Sequence, residues 1–359
     1  MIIGDNMQKI EADQSFPYKL MKSKYLHRDY YKEILSIANK NIPGISANEM
    51  IEVFKKLSNT GCSSAMLANS LVEQIYENDE DFKNKFGFSL LTKGKIDCNK
   101  LMVDIFTKLY KVIKVKFIEY YTYSFKSLNE ASLALLGKPY SNDVEILNEL
   151  FNSGVIMDGK DLNGNLLFKS RMPKITNHIG TCEEISKEKF GLEKIQTIED
   201  IKKICKEKNI EVSFSDIEIY EKLTGLLTHN FNFWSNYYLS KYNLDFSVTN
   251  KEIAVRDFKE DYKMFMNYIN SLVLEGYSIS VSSPTNSEVY MHTTSKMSWS
   301  KISSEEAGHV MLFKYFDNNN DIVVSSYGTE YIIPKEYFNL LGYNKIKKQE
   351  KVEENKKRV

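Results

Sequence analysis

Apolar and aromatic residues recur at helical spacing from about residue 17 to 40, with Tyr25, Tyr30, Tyr31, Ile34, Leu35 and Ile37 among them, and predict a helix. Ile42-Pro43-Gly44 breaks it. Ser46-Ala47-Asn48-Glu49 reads as a capping box that opens a short helix to Leu57. Ser58-Asn59-Thr60-Gly61 reads as a turn. A helix then runs from Cys62 to about Tyr76, with Ala65, Ala68, Leu71, Val72 and Ile75 on its buried face and Phe82, Phe86 and Phe88 beneath it. Another helix is expected from about Asn99 to Ile113. Between 130 and 255 the pattern reads mostly as helix, over 144–151, 198–208 and an aromatic run 217–242. After Asp257 one more helix ends at Gly276. Period-two runs then predict strands over 277–281, 309–315, 322–325 and 331–333, with a turn at 317–321.

Helices first and strands last predict an α+β protein with a helical half and an antiparallel β half. The expected segments are 1–44, an N-terminal helical stretch; 45–129, the helical half; 130–255, a large helical insertion; and 256–343, the β-rich half. The remaining 344–359 is almost wholly charged and is expected to be disordered. A cleft between two halves is a common ligand site.

Charge changes this picture little. Lys and Arg total 48, as do Asp and Glu, so nothing points to nucleic acid or an anionic membrane as partner. Four cysteines, Cys62, Cys98, Cys182 and Cys205, have no CxxC spacing, and no metal or other cofactor is expected. They read as free thiols in a reducing compartment. The N-terminus lacks the basic-then-apolar order of a secretory signal, and no run approaches ~18 apolar residues. The expected location is the cytoplasm, or outside the cell by export without such a signal.

Two distant segments carry the candidate chemistry. Ser58-Asn59-Thr60-Gly61-Cys62-Ser63-Ser64 puts a thiol at a helix start, where unpaired backbone N–H groups and the helix dipole favour a thiolate. Gly308-His309-Val310-Met311-Leu312 puts an imidazole at the head of a strand. Val323-Val324-Ser325-Ser326-Tyr327-Gly328 puts a hydroxyl at the end of the next. A lone cysteine is more often a buried structural residue, and a lone histidine at a strand end is more often solvated. Together they make a nucleophile, a base and an orienting group.

These motifs resemble those of the papain-like cysteine peptidases: a helix-starting Cys, a strand-starting His, then Asn-Ser-Trp-Gly ending the following strand. Gly308-His309 through Gly328 is most similar to the bacterial bacteriocin-processing branch. The match covers about 15 residues around Cys62 and about 30 around His309. The resemblance implies Cys62 as nucleophile, His309 as base and Ser325, 16 positions on, as orienting group. It also implies a side-chain amide donating to the oxyanion. Lys56 stands where the family carries glutamine, so Asn59, the nearest amide, is assigned that role, with Gln14 more remote. Ser325 stands where the family carries Asn or Asp. The gap of 247 positions between Cys62 and His309 exceeds the usual ~130–150 and implies an insertion.

The implied activity is a cysteine hydrolase, a peptidase or isopeptidase, acting through a thioester on a protein or peptide and suited to a bacterial effector or toxin domain. Deamidation and acyl transfer use the same machinery. The alternative is a catalytically weak relative serving as a protein-binding module.

Overall fold

The computed structural model describes residues 8–23, 28–195, 197–215, 228–282, 289–293, 299–302, 310–326, 328–335 and 340–348. His309, Tyr327 and the tail beyond Lys348 lie outside these residues. The chain is α+β and divides into two compact units, one of Met1–Tyr110 with Glu218–Val359 and one of Lys111–Ile217.

The first unit opens with β1 (Lys9–Ile10), α1 (Phe16–Lys22), α2 (Arg28–Asn41), α3 (Ala47–Thr60), α4 (Cys62–Ile75) and α5 (Asp79–Phe86). The hairpin β2 (Leu91–Thr92) and β3 (Lys95–Asp97) follows, then α6 (Cys98–Tyr110). The capping box predicted at Ser46 is present, its side chain accepting from the Glu49 N–H. The predicted turn before Cys62 is shorter than expected. Helix α3 continues through Thr60, and Gly61 alone separates it from α4. A Cβ at Gly61 would lie 2.3 Å from Leu57 Cδ1 and 2.5 Å from the Leu57 carbonyl oxygen, so only glycine fits this junction.

Helix α4 is buried nearly throughout. It packs on α6 and on the antiparallel sheet of this unit. That sheet has the order β10-β17-β11-β14-β15-β16-β12-β13. Its strands are β10 (Phe246–Ala254), β11 (Ser278–Ser282), β12 (Val289–Thr293), β13 (Trp299–Ile302), β14 (Val310–Phe316), β15 (Ile322–Ser326), β16 (Thr329–Ile333) and β17 (Leu340–Lys348). Two helices complete the unit, α11 (Thr228–Ser240) against β10 and α12 (Tyr262–Leu274). Phe265, Ile269 and Leu272 of α12 pack with Met311, Phe313 and Val324 of the sheet. Gln74 fixes the register of α4 on the sheet. Its Nε2 donates to Ser278 Oγ at 2.9 Å and its Oε1 accepts from the Ile346 N–H at 2.9 Å.

The strands predicted over 277–281, 309–315, 322–325 and 331–333 correspond to β11, β14, β15 and β16. At the predicted turn the Asn319 N–H donates to Asp317 Oδ1 at 2.8 Å. The predicted charged tail from 344 is corrected. Residues Asn344–Lys348 pair with β10 in β17, and Asn344 and Ile346 are buried. Their charged neighbours alternate to the other face, which reads as a solvated run in sequence.

The second unit corrects the helical insertion placed at 130–255. It starts at Lys111, ends before the aromatic helix, and is itself mixed. Strand β4 (Ile113–Glu119) alternates buried Ile113, Val115 and Phe117 with exposed Lys114 and Lys116. The unit continues through β5 (Thr122–Phe125), α7 (Leu128–Leu136), α8 (Asp143–Asn152), β6 (Val155–Lys160), β7 (Leu166–Ser170), β8 (Lys174–Gly180), α9 (Cys182–Phe190), α10 (Ile198–Glu207) and β9 (Glu211–Ser215). It holds two three-stranded sheets, β5-β7-β6 and β8-β4-β9, each with its own core.

Both halves follow one plan, an edge strand, two helices and the opposite edge strand around a central third. Ser127 and Thr181 cap the first helix of each half, and Gly137 and Gly191 end it at positive φ. Asn142 and Thr197 cap the second helix. Ile146 and Leu150 of one half match Ile201 and Cys205 of the other in spacing and burial. The aromatic helix α11 belongs to the first unit, where Phe231, Trp234 and Tyr238 are buried.

Candidate active site

Cys62 is the first residue of α4, as its Gly-Cys motif predicts, and is half-buried. Burial pushes its thiol above the usual range. The nearby backbone N–H groups of Val310, Ser63 and Cys62 itself and the Ser63 hydroxyl act against that. Val310, at the head of β14, lines a cavity with Cys62. His309 precedes Val310 in the chain and lies outside the described residues.

Ser325 is on β15, paired with Leu312 of β14, and buried. Cys62, Val310, Leu312, Ser325, Ser326 and Gln14 all line one small cavity of 10 Å³, room for about one water. Of the four residues singled out from sequence, Cys62 and Ser325 thus meet.

Asn59 does not join them. It is exposed on the last turn of α3. Two buried amides line the cavity, Asn69 and Gln14, and Gln14 donates from Nε2 to the Ser58 carbonyl at 2.8 Å. An amide nitrogen has two hydrogens, so the second remains for a ligand. Gln14 stands 48 positions before Cys62 because α1, α2 and α3 intervene, which hides it from a motif read over a few residues.

The segment leading to Gln14 is extended, and its side chains alternate. Ala12 and Gln14 line the small cavity. Glu11 and Asp13 line a neighbouring cavity of 690 Å³ with Tyr30, Asp97 and Asn99, and Ser325 borders both. The Ala12 N–H donates to Asn69 Oδ1 of α4 at 3.1 Å, which holds this segment against the helix that carries Cys62.

No family model, no curated protein and no solved structure matches this chain.

The other thiols are placed differently. Cys98 is buried, and burial pushes its thiol up to about 12. Cys205 is buried in the second unit. His178, which shows no partner in sequence, lies with Nδ1 3.2 Å from Glu188 Oε1 and edge-on to Phe117. Among the described residues no group of three or more His, Cys, Asp or Glu is arranged to hold a metal. Among them, too, no helix is long and apolar enough to cross a membrane.

Proposed function

We propose that the protein is a cysteine hydrolase of papain-like architecture, with Cys62 as nucleophile, His309 as base, Ser325 as orienting group and Gln14 as oxyanion donor. The observation that carries the reading is that Cys62 at the start of α4 and Val310 at the head of β14 line one small cavity with Ser325 and Gln14. The residue that follows His309 in the chain thus stands at the cavity of the cysteine that starts α4. A peptide or isopeptide bond is the proposed substrate.

His309 takes the thiol proton, and the sulfur attacks the carbonyl carbon. The carbonyl electrons pass to oxygen, where the Cys62 N–H and the free Gln14 N–H stabilise the charge. Collapse breaks the C–N bond, and the leaving amine takes the proton from the imidazolium. Water, deprotonated by His309, then cleaves the thioester. This releases the carboxylic acid and restores the thiol.

A binding module is the second reading. It draws on the narrowness of the cavity beside Cys62 and on the burial that disfavours its thiolate.

An epoxysuccinyl peptide separates the two. The enzyme reading predicts a single adduct by mass spectrometry, at Cys62, with Cys98, Cys182 and Cys205 unmodified. No adduct, or equal labelling of all four cysteines, supports the binding module.

A further inference from the structure

A cavity of 690 Å³ adjoins that of Cys62, and Ser325 borders both. Its volume falls in the range of small-ligand sites. Glu11, Asp13, Asp97 and Glu330 bring carboxylates to it, and Lys9 and Lys93 bring ammonium groups. Three of these charges have partners. Glu11 ion-pairs with Lys314 of β14, Lys9 lies 2.6 Å from Glu73 of α4, and Asp13 Oδ2 lies 3.7 Å from Lys19 Nζ. Lys93 is exposed at the β2–β3 turn, where water and salt screen it.

Two carboxylates remain, and among the described residues neither has an ion pair. Asp97 is 1% exposed, and only the N–H and Nδ2 of Asn99, both at 3.0 Å from its Oδ1, hydrogen-bond to it. A buried carboxylate with no counter-charge is costly, and a cation entering the cavity relieves that cost. Glu330 of β16 is half-buried and pairs in register with Ser325 of β15, so the two side chains share a face of the sheet. The Phe16 and Tyr30 rings, with centroids 5.5 Å apart, form an apolar wall of the same cavity. The Thr92 hydroxyl is buried there without a hydrogen-bond partner. Carboxylates beside aromatic rings suit a guanidinium, which is planar, donates to several acceptors and stacks on rings.

We propose that this cavity receives a cationic side chain of the substrate, with arginine the best fit. The inference rests on the proposed function in making the ligand part of a substrate. The cation site itself is built from Asp97, Glu330 and the two rings.

Two measurements on the full-length protein test the site and its use. The first is calorimetric titration with Nα-acetyl-arginine methylamide and with its uncharged isostere, Nα-acetyl-citrulline methylamide. The arginine compound should bind at least about tenfold more tightly. Asp97→Asn keeps an oxygen for Asn99 and should remove roughly tenfold of that affinity. Glu330→Gln, at a more exposed position, should remove about threefold, and it serves if Asp97→Asn does not fold. Equal binding of the two compounds, no binding, or tighter binding of Nα-acetyl-glutamate methylamide overturns the cation site.

The second measurement is capture of Cys62 by epoxysuccinyl peptides that carry arginine or citrulline. The arginine probe should react about tenfold faster, and equal rates overturn the substrate role of the cavity. Arginine binding without capture of Cys62 by either probe means that the proposed function has failed. Capture by both probes at one rate, without arginine binding, means that the cavity assignment alone has failed.

Discussion

Replacing His309 by alanine is expected to slow alkylation of Cys62 at pH 6 by about 10²–10³-fold. A thiol titrating at its ordinary value of 9.0 has roughly one part in 10³ as thiolate at pH 6, and burial pushes Cys62 higher still. The N–H groups of Val310 and Ser63 that act against burial remain in the variant, so they do not account for a change. Only a cationic partner makes the thiolate a major species at that pH, and in the proposed site that partner is the His309 imidazolium. Timed iodoacetamide labelling read by peptide mapping measures the effect, with Cys98, Cys182 and Cys205 as internal references. Equal rates in the two proteins would remove His309 from the site.

The second large effect concerns stability. Asp104 of α6 is 1% exposed and joins three helices. It accepts from Asn41 Nδ2 of α2 at 2.9 Å and from the Tyr238 hydroxyl of α11 at 2.6 Å. It also accepts from the hydroxyl of Tyr242, just beyond α11. Burial and the Asp104 charge both push the Tyr238 and Tyr242 hydroxyls above their usual range, so they stay protonated as donors. Asp104→Ala removes the acceptor and leaves the fully buried Tyr238 hydroxyl unpaired. The expected cost is about 3–5 kcal/mol. Asp104→Asn keeps the volume and one acceptor oxygen and should cost less, about 1–2 kcal/mol. Trp234 and Trp299 both fall in this unit, so tryptophan fluorescence in urea follows its unfolding. A loss below about 1 kcal/mol for Asp104→Ala would show that the cluster is not coupled to folding.

The first unit was legible where period and punctuation agree. Gly61 and the apolar run after it locate α4. Turn residues around Asp317 locate the β14–β15 hairpin. Asn344 and Ile346 were lost because lysines on the exposed face of β17 dominate the local composition. The second unit is less legible for a related reason. Its helices carry strong caps and long apolar faces. Its strands are short, and only the alternation of Ile113, Val115 and Phe117 with two lysines marks the sheet.

At the site, Cys62 and Ser325 were legible because each ends or begins an element in a local motif. Gln14 and Glu11 were not, since neither belongs to such a motif. They line its two cavities because the segment held by Asn69 runs past Cys62, and no local pattern encodes the approach of residues 48 positions apart in one case and more than 300 in the other.

The pH dependence of Cys62 alkylation in the unmodified protein tests the central claim most directly. Iodoacetamide rates at Cys62 are measured from pH 4 to pH 10 beside those of a free thiol. A thiolate held by His309 predicts a rate that reaches half its plateau below about pH 6 and stays level through neutrality. A single rise at or above the ordinary thiol value of 9.0 would contradict the pairing and the enzyme built on it.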